Sequence, residues 1–484
     1  MSNIFAILLL TVFQFIAGFG ITSFFKIHLR AGLFLPLCLL LGVAIFSFIP
    51  FALQLLYIPL SSVNIFTTLF FVCAALNFRT GVMIERLAWG LRGSRFTMRL
   101  YEIPFLLVIT IIVLISVWRC FYLPPTPRDL TSGAETVAEY AVREKTMINS
   151  VFTINLETTN NQFKPPFITS LQIIYKLAGL PFGQVWLSAI FVSFIIFLYH
   201  ALSVTLHKLI AGLLIIAFLA IPEMYAYTFM VLFDYSNAVF FFLSLYFLIT
   251  FFASNQPNHL AFAGLLMAIA TYVRSETLIL AGFIFLAALL YQFKYKGGIK
   301  LLLQSTLLFL APALVIYLLS ITIYVNHYLP VKYDVGELIN PHLLNLKPFF
   351  TRFWGVNKQL IFSRDGISYY GYFIFLFCAF FLAELIIRRR FTSVARNWLF
   401  AILVIYIGLP LLGFVLPLMD LENTTKRGLF KMFPLMLLYM ANNGLLVELS
   451  RRITAWETTT KKLKAVTENE DLAGAAIPQS ADSA

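Results

Sequence analysis

GLFLPLCLLLGVAIFSFIPFALQLLYI, residues 32–58, runs for 27 positions without a charged side chain. A bilayer core about 30 Å thick is crossed by about 20 apolar helical residues. This stretch is long enough, and it is not alone. Working outward, similar runs cover 4–25, 62–78, 103–123, 184–205, 208–222, 237–253, 260–273, 276–293, 301–325, 371–387, 397–419 and 428–449. The chain is 60% hydrophobic and 12% charged, whereas a soluble protein carries about 25% charged residues. Its mean hydropathy is +0.87. The reading is an all-α polytopic membrane protein with about 13 transmembrane helices, which excludes a soluble globular enzyme.

The first run has no charged leader and no small-residue cleavage site, so it reads as a retained span. Cys38, Cys73, Cys120 and Cys378 lie in or beside apolar runs. They read as buried small hydrophobes, with no disulfide or metal framework. The net charge of +13 does not point to nucleic acid, because the basic residues sit at helix ends. The partner implied at this level is membrane lipid.

The same basic residues give an orientation. Lys26, Arg30, Arg79, Arg86, Arg92, Arg95, Arg99, Lys208, Lys294, Lys296, Lys300, Arg388 to Arg390, Arg451 and Arg452 all fall on one side of the thirteen-span scheme. Short loops rich in Lys and Arg stay in the cytoplasm. The N-terminus is then outside and the C-terminus inside, in a multi-pass plasma (inner) membrane. Loops 124–183, 222–236, 326–370 and 420–427 face outward. The expected organisation is a three-helix extension at 1–100, a membrane catalytic domain at 101–450, and a disordered cytoplasmic tail at 451–484. Runs 208–222 and 260–273 are short for a span, so their outer ends, near Glu223 and Arg274, become site candidates.

The largest hydrophilic interruption is 124–183. Within it, SGAETVAEYAVREKTMI (132–148) has helical spacing. Val137, Tyr140, Ala141 and Ile148 form an apolar stripe, and Glu135, Glu139 and Arg143 share another face. This predicts an amphipathic helix lying on the outer membrane surface. Such an element suits a site that meets a lipid-borne molecule on one side and a water-soluble one on the other.

AETVAEYAVREKTM, followed by FKPPFITSLQIIYKLAGLPF, resembles the first external loop of GT-C glycosyltransferases, in particular the family 39 branch of protein mannosyltransferases and aminoarabinose transferases. Glu135 matches the second acid of that family's acidic pair. Arg143 and Glu144 match its Arg-Glu. Lys164, Pro165 and Pro166 match its Lys-Pro-Pro, and Tyr175, Leu177 and Gly179 its closing pattern. MVLFDYSNAVFFFLSLYFL sets Asp234 where the family has its second external acid. ATYVRSETLIL has Arg274 at a commonly basic position, and KRGLFKMFPLM is similar to a late Arg-Tyr…Pro segment. The likeness covers about 124–290 and 426–436. It departs at the first acid, which is Ala134 here, with Asp129 five residues upstream. It departs again at Phe163, where some relatives have Glu.

The resemblance implies a GT-C-like fold and inverting transfer of a sugar from a polyprenyl phosphate to an extracytoplasmic glycan, lipid or protein. The attacking hydroxyl then needs a carboxylate to take its proton, and the departing phosphate needs cations. Glu135, Asp234 and Asp129 are the candidate bases. Lys164, Arg274 and Arg427 are the candidate phosphate ligands. Each has a plainer reading. Glu135 completes a capping box with Ser132, Asp234 meets a helix dipole, Asp129 sits in a turn, Lys164 snorkels, and Arg274 pairs with Glu276. His327 and His342 lack tight ligand spacing, so no metal site is assigned and the cofactor is left open. The aromatic loop 326–370 suits sugar stacking. Two other classes fit the same outline: an O-antigen polymerase or ligase, and a non-enzymatic lipid or glycan transporter, which would carry paired broken helices.

Overall fold

The computed structural model describes residues 2–78, 85, 88, 99–124, 133–154, 164–180, 183–293, 303–329, 339–417 and 420–475. Among these the chain is helical throughout, with no strand. Helices α1 (Ser2–Phe24), α2 (Ala31–Leu55) and α3 (Ser62–Leu76) precede α4 (Glu102–Tyr122). The hydrophilic stretch holds α5 (Ala134–Glu144) and α6 (Phe167–Leu177). Then come α7 (Trp186–Leu202), α8 (Lys208–Leu219), α9 (Pro222–Ala226), α10 (Phe233–Ser254), α11 (Pro257–Val273) and α12 (Thr277–Phe293). The remainder is α13 (Leu303–Tyr328), α14 (Lys347–Gly355), α15 (Arg364–Tyr370), α16 (Phe373–Ile387), α17 (Ser393–Val415), α18 (Lys426–Ala441) and α19 (Gly444–Ala475).

Six of these are long and apolar enough to cross a membrane: α1, α2, α4, α10, α13 and α17. Two bent pairs, α15 with α16 at 97° and α18 with α19 at 52°, bring the number to as many as eight. The protein is therefore an α-helical polytopic membrane protein with six to eight candidate spans. The other five expected runs also fall on helices, α3, α7, α8, α11 and α12, but these are only 12 to 17 residues long. Hydropathy reads such cores as spans because they are as apolar as the long helices.

Close backbone packing fixes the start of the chain. A Cβ at Gly42 would collide with the Gln14 carbonyl, and one at Gly18 with that of Cys38. Small residues at these positions let α1 and α2 approach without side chains between them. Helix α2 also packs against α6 and α7, so the first three helices hold the hydrophilic segment directly. The Gln14 amide nitrogen donates to the Tyr175 hydroxyl at 3.0 Å, and the Thr146 hydroxyl donates to the Gln54 side-chain oxygen Oε1 at 3.0 Å.

The α18–α19 break has a local cause. Glu384, fully buried on α16, accepts from Gly444 N at 2.8 Å, Tyr439 OH at 2.8 Å and Asn443 Nδ2 at 2.9 Å. The Asn443 side-chain oxygen takes the Leu445 N–H at 3.0 Å and caps α19. A buried carboxylate with three donors is satisfied without a cation. The tail, expected to be disordered from residue 451, continues as helix to Ala475. A Glu448–Arg452 contact one turn apart, at 3.4 Å, lies at the start of this polar part of the helix.

Candidate functional site

Helix α5 ends at Glu144 because Lys145 adopts a left-handed conformation, φ 59°. The expected stripe is shifted: Ala134, Val137, Ala138 and Ala141 are the buried positions, while Tyr140 and Ile148 are half-buried. That face packs on α6. This corrects the expectation of an apolar face turned to lipid, since the protein's own helix covers it. Ser132 and Asp129 lie outside the described residues.

The capping box expected between Glu135 and Ser132 lies outside the described residues, and among these Glu135 reaches across to α6. Its carboxylate meets Lys176 Nζ on α6 at 2.5 Å and accepts from Gln172 Nε2 at 2.6 Å. Gln172 is itself held by Trp186 Nε1 at 3.0 Å. Lys176 also reaches Glu139 at 3.2 Å, and Glu139 pairs with Arg143 at 2.9 Å. Burial raises the Glu135 carboxyl above its ordinary value, opposed by Lys176 and Gln172. Lys176→Met leaves this carboxylate buried with an amide alone, which costs on the order of 3 kcal/mol. A thermal-melting comparison should show a large drop for Lys176→Met and recovery of much of it in Lys176→Met/Glu135→Gln.

The second group lies where α10, α11 and α12 meet the Lys-Pro-Pro turn. Asp234 is in the first turn of α10 and is 3% exposed. Arg274 follows the last residue of α11 and is 7% exposed. The Arg274 guanidinium bonds Asp234 Oδ1 through Nη1, and its Nε donates to Glu276 Oε1 at 2.6 Å. The expected Arg274–Glu276 pair thus forms, with Asp234 added. Lys164 Nζ stands 3.6 Å from Glu276 Oε1. Burial would raise the Glu276 carboxyl, but Arg274 and Lys164 hold it well below the usual carboxylate range. Burial pushes the Lys164 ammonium down, against the pull of Glu276. A pocket lined by Lys164, Pro165, Val137, Phe233 and Tyr324 opens beside this group.

Lys431 completes the cluster. It is 5% exposed and lies within electrostatic range of Arg274, Asp234, Glu276 and Lys164. Among the described residues it makes no ion pair or hydrogen bond, only an approach of 5.9 Å to the Phe241 ring centroid. Among the described residues, two buried cations, Arg274 and Lys431, and the half-buried Lys164 thus lie near two carboxylates, Asp234 and Glu276. Charge of one sign taken out of water is costly unless something neutralises it, so such a group has the chemistry to accept an anion. Sequence reasoning missed Lys431. The available signal was a lysine inside an apolar run, where an ionisable side chain is expensive unless it has a role.

Arg427 lies apart from this network. Its guanidinium carbon is 5.7 Å from the Tyr227 ring centroid, and its Nε is buried with no partner among the described residues. Beside it Lys426 pairs with Glu223 at 2.9 Å and covers the Tyr369 ring at 3.9 Å. The structure brings Asp234, Arg274 and Lys164 together. Glu135 belongs to a different ion-pair group on α5 and α6. Among the described residues no three His, Cys, Asp or Glu side chains gather as a metal-ligand group. The chain matches no protein-family model, no curated protein and no solved structure.

Proposed function

We propose that this protein is a membrane glycosyltransferase of GT-C type, moving a sugar from a polyprenyl phosphate to a glycan, lipid or protein acceptor on the extracytoplasmic face. The observation that carries the reading is the excess of cations among the described residues around Asp234: Arg274 and Lys431, both buried, and Lys164, half-buried. A lipid monophosphate supplies the anion such a group lacks. The orientation, with loop 124–183 outside, rests on the distribution of Lys and Arg.

In this mechanism the acceptor hydroxyl oxygen attacks the anomeric carbon. The bond from that carbon to the phosphate oxygen breaks, and the electron pair leaves with the lipid phosphate. The hydroxyl proton goes to a carboxylate. Asp234 suits this role: Oδ1 is oriented by Arg274, and Oδ2 has no partner among the described residues. Glu135, with its raised pKa, suits proton transfer by environment, but both its oxygens are engaged. That shifts the base role toward Asp234. The apolar cavity of about 380 Å³ lined by Leu9, Phe13, Phe46, Phe66, Phe70 and Ala178 has the chemistry of a lipid-chain site.

The transporter reading draws on one specific observation, the two bent helix pairs at 97° and 52°. An assay separates the readings. Purified protein in lipid bilayers is incubated with radiolabelled sugars on polyprenyl monophosphate and, separately, on polyprenyl diphosphate. The expected result is label transferred from the monophosphate donor only. Transfer from the diphosphate alone would identify a polymerase- or ligase-like enzyme. Lipid-donor translocation with no transfer would identify a transporter.

A further inference from the structure

We infer that Arg388, Arg389, Arg390 and Arg396, with Arg451 and Arg452 beside them, form a surface site for the phosphate headgroup of an anionic phospholipid. The patch lies at the opposite end of the bundle from Asp234. Helix α10 carries Asp234 in its first turn, and α12 begins at Thr277, just after Arg274. The last turns of those two helices meet the first turns of α17 around an apolar crevice lined by Leu248, Phe252, Ala288, Asn397 and Phe400. Asn397, the polar residue of that lining, follows Arg396. Arg388, Arg389 and Arg390 occupy the turn between α16 and α17.

The patch is cationic and lacks counter-charges. All six arginines are exposed. Among the described residues Arg388, Arg389, Arg390 and Arg396 make no ion pair and no side-chain hydrogen bond. Arg451 and Arg452 share one carboxylate, Glu448, at 3.9 and 3.4 Å. Glu384 is buried and already accepts from Tyr439, Asn443 and Gly444. Two contacts bring the turn and α19 together. The Arg388 guanidinium lies over the start of α19, where a Cβ on Gly444 would overlap it, and Thr392 Oγ1 donates to the Asn442 carbonyl at 3.3 Å. A helix N-terminus disfavours a cation, so an anion seated there would relieve both.

The neighbours select a lipid over a soluble anion. Ile386 and Ile387, directly before Arg388, are 70% and 68% exposed. Val394 and Leu449 are exposed within the patch. Apolar side chains bordering a row of cations match the boundary between acyl chains and headgroups. A soluble polyanion would leave these isoleucines in water. Every cation of the patch is arginine, whose planar fork takes a phosphate through two parallel hydrogen bonds.

Native mass spectrometry of the full-length protein tests the site by comparing phosphatidylglycerol and phosphatidylcholine with the same acyl chains. The wild type should retain phosphatidylglycerol about fivefold better or more, which is the effect of one cation near an anionic surface. Arg388→Gln/Arg389→Gln/Arg390→Gln/Arg396→Gln should lose the preference. Lys347→Gln/Lys358→Gln/Arg364→Gln removes exposed cations on and after α14 and should keep it. Arg388→Lys/Arg389→Lys/Arg390→Lys/Arg396→Lys keeps the charges that set topology. It should lose about twofold, because an ammonium cannot take phosphate bidentately. Melting curves identify a glutamine variant that fails to fold, and the lysine variant then carries the test. Equal retention of the two lipids by the wild type overturns the site, as does an unchanged preference in the folded patch variants. Loss of the preference in the α14 variant also overturns it, as an effect of net charge alone. Wild-type capture of heparin with no lipid preference would give the patch to a soluble polyanion instead. None of these readouts needs sugar transfer, so the site stands apart from the enzyme reading.

Discussion

Asp234→Asn is expected to lower sugar transfer by about 10²- to 10⁴-fold, the usual contribution of a positioned proton acceptor. The substitution keeps the side chain's size. Arg274 keeps its Nε bond of 2.6 Å to Glu276, so the guanidinium is not left without a counter-charge. Insertion and helical content should stay close to wild type, and the loss should appear in the rate at saturating donor. Glu135→Gln should cost less, because Glu135 is bound to Lys176 and Gln172 rather than open to an acceptor. Steady-state transfer rates of the two variants, with circular dichroism on the same samples, check both statements. Full activity in Asp234→Asn would remove it as the base.

Arg274→Met is expected to have the largest effect on stability, about 3–5 kcal/mol, because it strands buried carboxylates. Asp234 is 3% exposed and loses its direct ion pair, leaving only the more distant charges of Lys164 and Lys431. Glu276 keeps Lys164, at 3.6 Å, as its one direct partner among the described residues. The double change Arg274→Met/Asp234→Leu removes a charge of each sign and should recover much of the loss. Thermal unfolding of detergent-solubilised protein measures both. The pH dependence has a definite sign. The Glu276 carboxyl is held below its unfolded value of about 4.3, so its contribution is complete above that value. It is lost as pH falls toward the lower folded value.

The apolar runs were legible because a membrane solvent demands long uncharged helices, and every expected run falls on a helix. Their lengths were less legible. The shortness of run 208–222 was visible, and α8 ends at Leu219 before Pro222, but runs 184–205 and 276–293 read as full spans and form helices of only 17 residues. Helix α5 was readable from its spacing, but its covering was not, since nothing local announces that α6 will bury Val137 and Ala138. The site shows the same division. Arg274 and Glu276 are neighbours in sequence and their pairing was visible. The addition of Asp234, 40 residues earlier, depends on how α10 and α11 pack. Glu135 and Lys176 are likewise 41 positions apart. Beside its reading as a candidate base, the plainer reading of Glu135 was therefore a helix cap, the partner that sequence proximity supplies. Lys431 was hidden for a related reason. A single lysine in an apolar helix looks like a helix-end charge until the fold places it beside four others.

The central claim is that the cation excess reads a lipid monophosphate, and binding tests it most directly. Native mass spectrometry or scintillation proximity on purified full-length protein would measure affinity for polyprenyl phosphate in wild type, Lys431→Met and Lys164→Met. The account predicts saturable binding by the wild type, weakened about tenfold or more in each variant and competed by polyprenyl phosphate but not by the neutral polyprenol. Equal affinity in all three proteins, or equal competition by the polyprenol, would contradict it.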